Sequence, residues 1–494
     1  MSMQNDKSIS GNVIWRFLER FSAKAVTFIV SVVLARLLDP EVYGTVALVT
    51  VFTTILEVFI DSGLGNALIQ KKDADDLDFS SVFYFNVAMC LTLYLAMYFA
   101  APYIAAFYRN PELTAIVRVL SLTLIISGVK NIQHAYISRR MMFRTFFLAT
   151  TVGTVASAIV GLAMAYGGFG VWALVAQPLL NYLIDTLVLW CTVKWRPKAA
   201  FSWTRLKGLL AYGWKLLVAK LLNTTYEKLR DLIVGKVYSE ADLAFFNKGA
   251  SFPGMIVPNI TNSVDGVLFP AMAARQDNQQ QVRMLVNKSI SISSYMVFPM
   301  MAGLCACAEP LVRVLLTDKW LPCVPFLYIY CLVYAFWPLS IANLNSIRAL
   351  GRSDILLKLE ITERVFSLLL LLFTFRISVL ALGISYLLGE LFSSFIVMLP
   401  NKKLIGYGAF AQLRDLAPLM VCSGIMGAIV YAVQLLGLHP MITLLIQVPL
   451  GAAIYFVMSK LFHFYGYTYI TDLLRRKLST VLKRKGRNTP SQPD

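Results

Sequence analysis

VIWRFLERFSAKAVTFIVSVVLARLL, residues 13–38, is apolar over a length that crosses a bilayer, yet it carries Arg16, Arg20 and Lys24 at four-residue spacing. A helix of about 20 predominantly apolar residues spans the hydrocarbon core, and positions i, i+4 and i+8 share one helix face. The stretch therefore reads as a membrane helix with a cationic stripe. Set against the chain 200 residues further on, its design recurs. Arg20 meets Lys220, Ala35 meets Gly235, Arg36 meets Lys236 and Leu37 meets Val237. The alignment continues through Gly44 with Ala244, Leu64 with Val264 and Leu68 with Leu268. A fixed offset of this kind marks an internal repeat.

The rest of the chain is of the same character. Of its 494 residues 58% are apolar and 15% charged, with a mean hydropathy of +0.66. Soluble domains carry roughly 25% charged residues, so an ordinary soluble globule is excluded. Gly, Pro and charge clusters punctuate the sequence into fourteen apolar segments, at 13–38, 43–69, 82–107, 115–137, 145–166, 169–193, 208–237, 246–272, 289–316, 325–347, 355–375, 379–399, 416–436 and 441–462. The predicted fold is an all-α integral membrane protein with about fourteen transmembrane helices. It comprises two pseudo-symmetric six-helix lobes, residues 1–193 and 208–399, joined by a linker at 194–207. Two extra helices at 400–462 and a basic tail at 463–494 follow. Six spans separate the repeats, so both lobes enter the membrane the same way round, as in transporters that rock one lobe against the other.

The net charge of +18 does not point to nucleic acid, because Lys and Arg are dispersed between apolar runs rather than gathered on a polar domain. They fall instead in every second loop, for example Arg139, Arg140 and Arg144, then Lys194, Arg196, Lys198, Arg205 and Lys207. Cytoplasmic loops carry this excess, so both termini are expected in the cytoplasm. The first span has no cleavage site and is expected to remain as a helix. The tail from Asp472 to Arg487 reads equally as an amphipathic helix on anionic headgroups or as a solvated basic segment.

Ionisable groups at bilayer depth are functional candidates by default. Arg20, Lys24, Lys130, Lys215 and Lys220 form the candidate cationic cavity, which suits a diphosphate through several charge-assisted hydrogen bonds. Snorkelling to the headgroups is the alternative, above all for Arg16 and Lys215. Lys130 and His134 lie four apart on the fourth span. Glu57 and Asp61, four apart on the second, and Asp265 on the eighth are candidates for coupling to H+ or Na+. Asp185, Glu360, Glu363 and Glu390 are further acids within spans, with pairing to the cations as the alternative throughout. There is no P-loop, no G-x-S-x-G and no metal motif, and the seven cysteines include no C-x-x-C pair. A non-enzymatic secondary transporter that hydrolyses no ATP and holds no organic cofactor is expected.

Several segments carry a more specific resemblance. They are VLARLLDPEVYGTVALV from Val33, DSGLGNALIQKKD from Asp61, GFGVWALVAQPLL from Gly168, VLFPAMAARQDN from Val267 and FPMMAGLCACAEPLVRVLLTDKWLPCVPFL from Phe298. In this order they resemble the Wzx-type polysaccharide exporters of the MOP superfamily, and most nearly the WzxC-like lipopolysaccharide and colanic-acid branch. The resemblance covers residues 8–462 and implies a MOP/MATE-like fold in the bacterial inner membrane. It further implies a flippase, moving an undecaprenyl-diphosphate-linked oligosaccharide by alternating access with cation coupling, in company with polysaccharide polymerase and export machinery. Drug or toxin efflux on the same architecture is the alternative, for which a cationic cavity is poorly suited.

Overall fold

The structure is a computed structural model that describes residues 24, 26–61, 64–71, 73–469 and 471–472. Arg16, Arg20 and most of the basic tail lie outside these residues. All regular secondary structure among the described residues is helical. The chain divides into two compact units, Met1–Ala244 and Phe245–Asp494.

The first unit contains α1 (Val26–Leu37), α2 (Pro40–Asp61), α3 (Leu64–Gln70), α4 (Asp76–Tyr108), α5 (Leu113–Leu120), α6 (Leu122–Arg139), α7 (Phe143–Tyr166), α8 (Val171–Thr192) and α9 (Trp203–Val237). The first turn of α10 (Glu240–Ala273) also belongs to it. The second unit continues with α11 (Gln279–Ala306), α12 (Ala308–Leu316), α13 (Val324–Ala349), α14 (Ser353–Thr374), α15 (Val379–Ile405), α16 (Ala409–Ala432) and α17 (Pro440–Leu461).

Each of the fourteen predicted spans holds a helix, with differences in detail. The stretch 289–316 is not one helix: it breaks at Cys307, and α11 starts ten residues before the apolar run, where the Asn278 side chain accepts from Gln281 N. That N-cap satisfies an otherwise unpaired amide, so the helix begins at the cap and not at the first apolar residue. Among the described residues, ten helices are long and apolar enough to cross a membrane. α1, α9, α10 and α14 fall short, α1 in its described length and the other three in composition: α9 and α14 carry charge-rich stretches, and α10 is diluted by three prolines and by Asn, Ser and Thr. α9, for example, holds Lys215, Lys220, Glu227, Lys228, Arg230 and Asp231.

The apolar helices turn much of their surface outward. The most apolar windows of α4 and α17 are only 17% buried, and Tyr103 is 78% exposed. Water would penalise apolar area on that scale, whereas lipid is its natural solvent. Helices suit lipid because their backbone groups are satisfied within the segment.

In the first unit α3, α4, α6, α8 and α9 enclose a core of Leu68, Phe79, Ile132, Leu189 and Leu206, to which the linker contributes Trp195. The linker is strapped down from outside as well. Asp75 caps α4 in a reciprocal capping box with Asp78, and its carboxylate also holds Arg205 at 2.5 Å. Lys198 meets Asp76 at 2.7 Å, and Lys71 meets the buried Asp78 at 2.6 Å. Hydrogen bonding from the Arg205 guanidinium draws the Asp75 carboxyl down to about 2.

The second unit is held internally by polar side chains. Asn343 Nδ2 donates to Gln412 Oε1 at 2.7 Å, Gln412 Nε2 donates back to Asn343 Oδ1 at 2.9 Å, and Asn401 Nδ2 donates to the same oxygen at 2.6 Å. All three residues are fully buried. These bonds join α13, α15 and α16, and such contacts replace the hydrophobic effect as glue between helices in lipid. The last helix is attached to α11 by Tyr295 OH donating to Ser459 Oγ at 3.1 Å and Tyr455 OH donating to Tyr295 O at 2.8 Å.

At the 200-residue offset the helix ends coincide at one corner, although α2 stops at Asp61 where α10 runs on to Ala273. α1 ends at Leu37 and α2 begins at Pro40; α9 ends at Val237 and α10 begins at Glu240. The two corners touch. Gly44 packs so tightly on the Glu240 backbone that a Cβ there would collide with the Glu240 carbonyl. Thr45 Oγ1 donates to the Glu240 carboxylate, which also accepts from Asn110 Nδ2 at 2.7 Å.

Candidate functional site

A group of ionisable side chains from three helices meets inside the apolar part of the first unit, assembled by α2, α6 and α8. Lys130 and His134, one turn apart on α6, face Asp185 on α8. Lys130 Nζ lies 3.2 Å from Asp185 Oδ2, and His134 Nε2 lies 3.9 Å from the same oxygen. The Lys130 ammonium also sits 4.3 Å from the ring centroid of Tyr182, one turn back on α8, where ring and cation attract. The Tyr182 hydroxyl in turn donates to Glu57 Oε1 on α2 at 3.0 Å.

Small residues let these helices close up. Gly153 of α7 lies against Asn181 O and the Asp185 Cβ, and Asn181 Nδ2 donates to Thr154 Oγ1 at 3.3 Å. Phe146 stacks edge-on to His134 with centroids 4.5 Å apart. The chain from Glu57 through Tyr182, Lys130 and Asp185 to His134 is thus a continuous polar path through helices whose other neighbours are apolar.

The remaining predicted residues fall as follows. Arg20 lies outside the described residues, and Asp61 ends α2 with its side chain outside them. Lys24, Lys215 and Lys220 are exposed. Lys130, read from sequence as one of five cations for an anionic ligand, is engaged by Asp185, with only 15% of its side chain exposed. Asp265 belongs to the second unit, where it is half-buried on α10. It accepts from Ser289 Oγ at 3.5 Å, and Asn345 also bonds to it. Of the six predicted residues with described side chains, only Lys130 and Glu57 share the network. Tyr182 and Asn181 were not singled out from sequence. Their signal is slight: a Tyr and an Asn at i−3 and i−4 from the lone acid of an otherwise apolar helix.

An all-helical chain with ten bilayer-length apolar helices, a duplicated helical corner and a buried ionic network defines a multi-pass membrane protein of transporter architecture. Residues 33–325 match the family model described as "Polysaccharide biosynthesis protein", and the chain belongs to that family. Among curated relatives it is 26% identical over 319 residues to the succinoglycan biosynthesis transport protein ExoT of Rhizobium meliloti, covering 64% of each chain. It is 22% identical over 334 residues to the lipopolysaccharide biosynthesis protein WzxC of Escherichia coli, covering 66% of this chain and 67% of that one. The matched stretch therefore spans about two thirds of these relatives' length. Among solved structures, the lipid II flippase MurJ in an inward closed conformation superposes with a TM-score of 0.73 at 14% identity, over 91% of this chain and 99% of that chain. An inward-facing MATE-family multidrug resistance transporter of the MOP superfamily reaches 0.62 at 16% identity, over 78% and 94%. The fold is thus the one shared by MurJ and the MATE transporters.

Proposed function

We propose that the protein is a flippase that carries an undecaprenyl-diphosphate-linked oligosaccharide, a repeat unit of a surface or exported polysaccharide, from the cytoplasmic to the periplasmic leaflet of the bacterial inner membrane. The observation that carries this reading is the coincidence of family and fold. The chain is a polysaccharide biosynthesis protein by its residues 33–325 and folds along 91% of its length like a lipid II flippase. Membership of the family speaks for a glycan, and the likeness to MurJ for a lipid carrier.

Transport proceeds by alternating access of the two lobes, without ATP hydrolysis and driven by H+ or Na+, with Glu57, Asp61 and Asp265 as coupling candidates. Arg20, Lys24, Lys130, Lys215 and Lys220 supply the cations for the diphosphate, which rewards several donors at once. Both termini face the cytoplasm, and polysaccharide polymerase and export machinery take over the product. MATE-like efflux is the second reading, favoured by the MATE likeness but covering less of the chain.

The deciding experiment reconstitutes the protein in liposomes and follows flipping of undecaprenyl-diphosphate oligosaccharide with and without a proton or Na+ gradient. Gradient-dependent flipping is expected; an intact protein that moves none of these lipids but expels cationic dyes would favour efflux. Charge-assisted hydrogen bonds contribute about 1.5–3 kcal/mol each, and each 1.4 kcal/mol is tenfold. Arg20→Ala and Lys220→Ala are therefore expected to lower flipping by about tenfold or more, with normal membrane insertion, and a wild-type rate in the double variant would dismiss the cationic site.

A further inference from the structure

We infer that Asp185 and His134, steadied by Lys130, form a proton-binding site within the first unit, and that this is where a proton gradient acts on the cycle. Its transport role rests on the function proposed above; its proton chemistry does not.

The argument starts from two atoms. Asp185 is only 5% exposed. Its Oδ2 receives the Lys130 ammonium, while its Oδ1, also buried, has no hydrogen-bond partner among the described residues. His134 Nε2 is buried and likewise without a hydrogen-bond partner, and it lies 3.9 Å from the Asp185 carboxylate. Each buried polar atom left unbonded is destabilising, and native proteins keep few of them. Here two stand together, an acceptor oxygen and an imidazole nitrogen. The imidazole nitrogen and the nearer carboxylate oxygen, Oδ2, stand about 1 Å beyond hydrogen-bond reach, so a proton bound by either group draws the two together: held on the carboxylate it is offered to Nε2, and held on the imidazole it is offered to the carboxylate.

The surrounding charges favour a proton over a metal cation. α6 contributes Lys130 and His134, α8 contributes Asp185 and Tyr182, and α2 contributes Glu57 through the Tyr182 hydroxyl. From α7 the contacts to this group are the Phe146 ring and, through Asn181, Thr154, neither titratable. The ionisable residue of α5, Arg118, is turned to Tyr98. A hard metal cation asks for several oxygen ligands, but here an ammonium already occupies one carboxylate oxygen and an imidazole faces the group. A proton needs only the two atoms described.

Access and output follow from the same geometry. The His134 side chain is 29% exposed and Asp185 only 7%, so the imidazole is the outer member of the pair and the carboxylate the inner one. Asp185 lies seven residues before the end of α8 at Thr192, about 10 Å along the helix. A proton on Asp185 weakens its hold on the Lys130 ammonium, which then leans on the Tyr182 ring and on Glu57 beyond it. The charge change on α8 is thereby passed to α2.

The test uses the full-length purified protein in two assays. In an infrared pH titration, a component of the carboxylic C=O absorption, isolated as the difference between wild type and Asp185→Asn, is expected to grow as pH falls, and to shift its midpoint by about one pH unit or more in His134→Gln, where Asp185 is retained. A titration left unchanged by Asp185→Asn overturns the assignment, as does an unmoved midpoint in His134→Gln. In liposomes, the ratio of flipping rates with and without a pH gradient is expected to fall to about one in Asp185→Asn. A wild-type ratio in that variant overturns the coupling role. If the wild-type protein flips no lipid at all, the function proposed above fails, and the infrared titration still decides the proton site.

Discussion

Lys130 and Asp185 form an ion pair taken out of water, and its energetics are those of desolvation. Breaking such a pair by removing one partner costs about 3–5 kcal/mol, whereas replacing both by apolar residues of similar volume is often neutral. Lys130→Met or Asp185→Leu alone is thus expected to lower the melting temperature in detergent sharply, and the double variant to recover most of the loss. A double variant no more stable than either single one would show that the pair is not what couples these positions. Part of this site was legible in the sequence: Lys130 and His134 share a face by spacing alone, and Glu57 was a candidate acid. Asp185 as their partner was not, since it lies 55 residues from Lys130 and helix periodicity carries no information across different helices. Nor does spacing say that Glu57 accepts from Tyr182, because a tyrosine in an apolar run reads as core.

Between elements, the linker is the clearest case of structure exceeding pattern. It reads from sequence as a basic cytoplasmic connection, yet Trp195 enters the core and Arg205 and Lys198 are held by the acidic start of α4. Asp75 is both N-cap and anchor, so Asp75→Ala is expected to cost about 1 kcal/mol and to speed tryptic cleavage after Lys198 and Arg205. The pH dependence has a definite sign. The Asp75 carboxyl is held down at about 2, so its contribution is present above the ordinary carboxylate value near 3.9 and is lost as pH falls through that window toward 2. Protection of residues 194–207 from hydrogen exchange, corrected for the intrinsic rate, is expected to decline across that interval and not above it. In the second unit, Gln412→Leu strips the fully buried Asn343 of two hydrogen bonds. Asn343 keeps Leu339 O and Asn401 as partners, so the loss is expected to be about 0.5–1.5 kcal/mol for each bond removed, read as earlier loss of exchange protection in residues 409–432.

For the molecule as a whole, composition and periodicity carried most of the fold: an all-helical membrane chain with a duplicated corner. They were weakest where charged or polar residues enter the helices. α9, α10 and α14 are helical but are not among the ten clearly apolar spans, and α11 begins at a cap ahead of its apolar run. The orientation drawn from loop charges is testable directly: a fluorescent protein fused after Asp494 is expected to fluoresce in cells, and a periplasmic phosphatase at the same place to be inactive. The opposite pattern would invert the topology.

The matched corners at 37–40 and 237–240 bear on ancestry. If each half crosses an even number of times, as the loop charges predict, a protein of half this length would have entered the membrane in the orientation each half keeps now and associated with copies of itself in parallel. Fusion of two such genes head to tail then needed no change in insertion and no added crossing. Once fused, the halves were free to diverge. Gly44 kept only a hydrogen for a side chain while its counterpart became Ala244, so the joined protein could assign different work to positions that began as one.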